Sequence, residues 1–193
     1  GMRVILNEVP NQQVSSIQVW VKTGSVTEGE FLGCGISHFV EHLLFKGTPS
    51  RDVGKLAQEI RSAGGDFNAY TSSEVTVYHI TIPSENIETA VDVASDALIN
   101  SLFDKDEIEK ERDVILKEIN MGNDNPDRYF WNLLMSAAYR VHPYRFPVIG
   151  YRELFKKITR EDILKYYNAM YLPENIVVVL SGGFDAGKIF EKV

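Results

Sequence analysis

The sequence contains a single cysteine, Cys34, among its 193 residues. One cysteine cannot form an internal disulfide, which excludes a disulfide-stapled secreted scaffold, and it equally excludes a zinc module held by four cysteines. We therefore expect a reducing compartment, most simply the cytoplasm. No apolar run approaches the roughly 20 residues that span a bilayer, so the sequence predicts no membrane partner.

Positive charge is also scarce, because 20 Lys and Arg face 27 Asp and Glu and the net charge is −7. This sign argues against nucleic acid as a partner and leaves basic or neutral substrates open. At 44% hydrophobic and 24% charged residues, the chain can bury a core. No low-complexity segment or internal repeat divides it, so residues 1–193 are expected to form one domain.

Hydrophobic periodicity predicts an α+β fold, a layered sheet with helices packed on it. Alternation over 2–8 and 15–22 predicts two strands, and the turn at Pro10-Asn11 favours a hairpin between them. The apolar run 176–180 predicts a central strand covered on both faces. The other expected elements are strands over 66–71 and 75–82 and helices over 35–45, 53–63, 84–100, 105–121, 126–140, 151–157, 160–170 and from 185 onward.

The segment His38-Phe39-Val40-Glu41-His42 carries the clearest chemical signal. On a helix, at about 100° per residue, Glu41, His42 and Phe45 all lie within about 60° of His38. Two histidines at i and i+4 can bind one metal, and in this inverted H-x-x-E-H order the glutamate is a general base toward water instead of a ligand. The alternative is an exposed polar helix face with two ordinary histidines.

A catalytic zinc site needs a third protein ligand. On the predicted 105–121 helix, Glu111 and Glu118 lie seven residues apart, at the edge of an apolar stripe. A carboxylate buried at such a position needs a cation or a strong hydrogen-bond donor. The alternative is that both side chains reach solvent or pair with neighbouring lysine and arginine residues.

Together these segments resemble the pitrilysin family of inverted-motif zinc peptidases, which includes insulysin and the mitochondrial processing peptidases. The separation of 76 residues between His42 and Glu118 is similar to the family's spacing. The resemblance covers nearly the whole chain, and its segments are Gly35–Thr48, Asn68–Ser72, Glu111–Ile119, His142-Pro143-Tyr144 and Tyr171–Asn175.

The resemblance implies one zinc per chain, bound by His38, His42 and Glu118. It implies that Glu41 deprotonates the attacking water and that Glu111 is a carboxylate supporting the site. It places Phe45 beside the scissile bond and Asn68-Ala69 on an edge strand that takes up substrate backbone. Phe45 as a plain core aromatic and Asn68 as a turn-capping residue are the alternatives.

The resemblance also implies partners. The substrate would be a peptide or unfolded polypeptide, and a second, related half of the protein or a partner subunit would supply an Arg-Tyr pair to the transition state. The full-length protein is a candidate homodimer.

A non-catalytic assembly subunit of the same fold and a purely structural zinc are the rival interpretations. Cys34, His79 and His142 are expected not to be ligands, and the role of Tyr144 is left open.

Overall fold

The structure is a computed structural model that describes residues 1–192. It contains a five-stranded sheet with helices packed on it, as predicted. The strands are β1 (Arg3–Glu8), β2 (Val14–Val21), β3 (Asp66–Thr71), β4 (Thr76–Pro83) and β5 (Ile176–Gly182). The helices are α1 (Ile36–Leu43), α2 (Lys55–Ser62), α3 (Ile87–Asn100), α4 (Lys105–Asp124), α5 (Pro126–Ala138), α6 (Arg152–Phe155), α7 (Arg160–Met170) and α8 (Ala186–Phe190). No helix within 1–192 is both long enough and apolar enough to cross a membrane.

The strand order is β1-β5-β2-β4-β3, which makes the predicted β1–β2 hairpin wrong. The turn does form, with Asn11 at φ 68°, but β5 lies between the two strands, parallel to β1 and antiparallel to β2. Ile17, for example, is in register with Leu180 of β5 and with Ile80 of β4. A local turn signal predicts a reversal of the chain, whereas a distant strand can still insert between the two arms.

β5 is the central strand that its apolar run predicts, although it is not fully covered on both faces. Ile176, Val178 and Leu180 are buried, while Val177 and Val179 on the opposite face are only half-buried. Ile17 and Val19 of β2 and Tyr78, Ile80 and Ile82 of β4 face the same core, to which α1, α3 and α4 contribute. The helices therefore cover one face of the sheet, and β3 forms its edge on the side of α1.

Helix α1 is fixed at both its apolar face and its N-terminus. Phe39 and Val40 on the apolar face are fully buried. At the N-terminus, Gly35 has φ 74°, and a Cβ there would lie 2.2 Å from the Ile149 carbonyl oxygen, so only glycine fits. The predicted functional face of the helix is thus held in one orientation.

A buried carboxylate completes the N-terminal anchor of α1. Glu28 is 2% exposed and accepts hydrogen bonds from the Ser37 backbone N–H (3.0 Å), the Ser37 hydroxyl (2.9 Å) and the Gly35 N–H (3.3 Å). The Ser37 hydroxyl lies 2.7 Å from the hydroxyl of Tyr166 on α7. Burial raises the pKa of Glu28 to about 7 despite these hydrogen bonds.

Candidate metal centre and active site

Helices α1 and α4 bring the three predicted ligands together. His38 Nε2 and His42 Nε2 lie 3.9 and 3.8 Å from Glu118 Oε2, and one ligand atom from each of the three residues lies within 4.8 Å of the others. Asp104 caps α4 by accepting hydrogen bonds from the backbone N–H groups of Asp106 and Glu107. Side chains from two separate helices, α1 and α4, therefore place their ligand atoms close together.

Glu111 lies one side chain behind this group. Its Oε2 atom is 3.0 Å from His42 Nδ1, and its Oε1 atom accepts a 2.7 Å hydrogen bond from Lys46. Burial alone would raise the pKa of Glu111, but the hydrogen bonds from Lys46 and His42 outweigh it and hold the pKa below its ordinary value. Because Glu111 contacts His42 through Nδ1, Nε2 is the ring nitrogen that faces Glu118.

His38 is a neutral imidazole at physiological pH. Burial, reinforced by charge repulsion from His42 and Arg128, lowers its pKa to about 3. Its Nδ1 atom is buried and has no hydrogen-bond partner within residues 1–192. A neutral ring is the form in which histidine binds a metal.

The donor set fits a catalytic zinc ion. Two imidazoles and a carboxylate are three protein ligands of a type that leaves a fourth position open. Ligand atoms bound to tetrahedral zinc lie roughly 3.3 Å apart, so the observed 3.8 and 3.9 Å separations need only small side-chain rotations. The carboxylate behind His42 is the orienting partner that metal-binding histidines usually have.

Glu41 projects from the same face of α1 and is held by β3. Its Oε2 atom accepts a 2.6 Å hydrogen bond from the Thr71 hydroxyl. Burial raises the pKa of Glu41, with Glu118 adding to the rise, while Thr71 and His42 oppose it. A carboxylate whose pKa is raised above its ordinary value is better suited to accept and return a proton.

The three predicted substrate-binding residues lie on or near the β3 edge. Phe45 packs against Phe67 and Tyr78, with ring centroids 4.9 and 5.9 Å away, so it is partly a core aromatic. Asn68 and Ala69 do lie on the edge strand, and the Asn68 side chain accepts a 2.9 Å hydrogen bond from the Ala69 N–H. Their roles toward substrate stay predictions.

The residues expected not to bind the metal lie outside the His38, His42 and Glu118 group. Cys34 is half-buried, and burial raises the pKa of its thiol. His79 is half-buried on β4, and His142 accepts the Tyr144 N–H at the start of a 3-10 turn. The Tyr144 hydroxyl donates to Glu74 and so ties this turn to the β3–β4 hairpin.

A groove of about 660 Å3 opens beside His38 and Glu118. Its lining includes exposed aromatic side chains of α5, such as Tyr129 and Trp131. Among the residues around the site, the roles of Lys46, Thr71 and Arg128 are not apparent from the motif. For Thr71 the alternation along the strand could have indicated its position, because it places Thr71 on the half-buried face of β3 with Phe67 and Ala69.

The family signature described as insulinase, peptidase family M16, matches residues 3–151. A second signature, described as the peptidase M16 inactive domain, matches residues 157–193. The first match covers most of the chain. The chain therefore belongs to peptidase family M16, which confirms the resemblance that its motifs predict.

Two curated proteins and a solved structure illustrate what this chain is similar to. An uncharacterized zinc protease of Mycobacterium leprae is 37% identical over 185 residues, which are 96% of this chain and 41% of that protein. The probable mitochondrial-processing peptidase subunit beta of Arabidopsis thaliana is 34% identical over 193 residues, covering 100% of this chain and 36% of its own length. The crystal structure of a protease from Helicobacter pylori matches with a TM-score of 0.94 at 29% identity, over 100% of this chain and 46% of that one. The chain spans less than half the length of each of these relatives.

Proposed function

We propose that this chain is the zinc-bearing part of a metalloendopeptidase that hydrolyses peptide bonds. The observation that carries the proposal is the convergence of His38, His42 and Glu118. Glu41 lies on α1, the helix that carries both histidines. Membership of family M16 and the naming of relatives as zinc proteases support it. A purely structural zinc or a non-catalytic subunit would have no need of a half-buried carboxylate at the position of Glu41.

The roles of the residues follow from their positions. Bound zinc would supply the Lewis acidity that polarises the scissile carbonyl and acidifies the attacking water. Glu41 accepts a proton from that water and delivers it to the leaving amine. Glu111 keeps His42 oriented through Nδ1, and Lys46 balances the charge of Glu111.

The substrate is proposed to be an extended peptide or unfolded polypeptide that adds a strand to β3. Within residues 1–192 the Ala69 N–H is bonded only to the neighbouring Asn68 side chain, which a substrate carbonyl can displace. Backbone pairing of this kind accepts many sequences, because nearly every residue offers the same donor and acceptor. The rest of the protein, or a partner subunit, would close the groove and supply the remaining transition-state donors.

The experiment separates the base from the ligands in the full-length protein. Glu41→Gln is expected to retain one equivalent of zinc and to lose peptide cleavage, whereas His38→Ala and His42→Ala lose both. His79→Ala, on the other side of the sheet, is the matched control and should change neither. Zinc loss from Glu41→Gln as complete as from the histidine variants would make Glu41 a ligand and overturn the mechanism.

A further inference from the structure

Thr71, the last residue of β3, makes the only hydrogen bond that the Glu41 side chain forms within residues 1–192. The 2.6 Å length is typical of a hydroxyl that donates to an ionised carboxylate. The Thr76 hydroxyl lies across the hairpin, 3.4 Å from the Thr71 hydroxyl. It donates its own hydrogen bond to the Thr23 carbonyl. The Thr71 proton therefore has Glu41 as its acceptor.

The backbone of the same residue faces the open edge of the sheet. The Ser72 N–H donates to the Val75 carbonyl, which makes 72 and 75 a hydrogen-bonded pair at the end of the hairpin. Since such pairs alternate along antiparallel strands, Thr71 and Ala69 are in non-hydrogen-bonded pairs with β4. Their N–H and C=O groups point away from β4, which agrees with the Ala69 N–H bonding the Asn68 side chain.

One residue thus joins two parts of the site. Its side chain fixes the carboxylate of Glu41, which otherwise rotates about its own side-chain bonds. Its main chain belongs to the edge where an extended peptide would pair. A strand added there would order β3, and through Thr71 it would order the general base.

We propose that Thr71 is a positioning residue that holds Glu41 for proton transfer and couples it to the strand where substrate binds. This inference rests on the proposed peptidase function and adds a residue to it. It also accounts for a hydroxyl at the end of β3, where an apolar β-branched side chain would serve the strand equally well.

The test compares Thr71→Val, which keeps the shape and removes the hydroxyl, with Thr71→Ser, which keeps the hydroxyl. In the zinc-loaded full-length protein, Thr71→Val should lower kcat about 10- to 100-fold, with KM and zinc affinity within twofold of wild type. Thr71→Ser should restore most of kcat. Thr81→Val, on the exposed face of β4, is the matched control and should leave kcat unchanged.

A second readout does not depend on turnover. In protein labelled with 13C at glutamate carboxyl carbons, the Glu41 resonance is the one missing from Glu41→Gln. It should move in Thr71→Val at fixed pH and stay in place in Thr71→Ser. An unmoved resonance overturns the hydrogen bond, and wild-type kcat in Thr71→Val overturns the positioning role. If the zinc-loaded wild type cleaves no peptide, the proposed function fails, while the resonance still decides whether Thr71 holds Glu41.

Discussion

Replacing Glu111 by glutamine is expected to weaken zinc binding about tenfold, or about 1.4 kcal/mol, without unfolding the protein. Glu111 is 8% exposed and ties His42 Nδ1 at 3.0 Å to Lys46 at 2.7 Å. Glutamine can still accept from His42, but it is uncharged and presents an N–H group toward one of its two donors. Loss of an orienting partner behind a metal-binding histidine typically costs 10- to 100-fold in affinity, and the retained acceptor places this variant at the lower end.

Glu107→Gln is the matched control for that experiment. Glu107 lies one turn earlier on α4, is also 8% exposed and also pairs with a lysine, Lys110, but it bonds neither histidine. Zinc dissociation constants measured by competition with a chromophoric chelator should therefore differ between the two variants, while their urea-unfolding midpoints stay close. Equal zinc affinities in Glu111→Gln and wild type, or equal losses in both variants, would refute the orienting role.

Three further outcomes are expected. Ala69→Pro in the full-length protein removes an outward-facing donor of an edge strand and should cut peptide cleavage far more than Ala69→Ser; wild-type rates in both variants, with zinc and fold intact, would exclude pairing at β3. Residues 1–193 alone should fold, yet cleave peptides at least about 100-fold more slowly than the full-length protein, because the second half is proposed to supply transition-state donors; full activity of the piece would contradict this. The pKa of Glu28 is raised to about 7 in the folded protein. Its contribution to the free energy of unfolding should therefore fall by about 3 kcal/mol between pH 4.5 and 7 and then level off. Urea unfolding at pH 5 and 8 should show this loss in wild type and not in Glu28→Gln.

The site was more predictable from the sequence than the sheet was. A helix converts spacing into a face, so the grouping of His38, Glu41 and His42 follows from their positions alone. The apolar stripe of α4 likewise places Glu111 against the core, where it is buried. What spacing cannot give is contact between elements distant in the chain, and the bond from Thr71 to Glu41 depends on how β3 packs against α1.

The same limit explains the error in the sheet. Alternation identified β1 and β2 as strands and the turn between them as a reversal, and each of these local features is present. Which strands are neighbours depends on how much apolar surface a third strand buries between them. The apolar run of β5 indicates a strand inside the sheet, but it does not predict which two strands lie next to it.

The pairing of β1 with β5 limits the order in which this sheet can form. Arg3 is in register with Val177, so β1 has no neighbour in the sheet until the chain has been synthesised as far as β5. Contacts this distant in sequence carry a large loop-closure cost and slow folding. The three proposed zinc ligands are synthesised long before β5, which pairs between β1 and β2. A nascent or truncated chain ending before residue 176 would therefore carry a full set of ligands on a sheet with an unpaired strand edge, a state open to aggregation and to premature capture of metal.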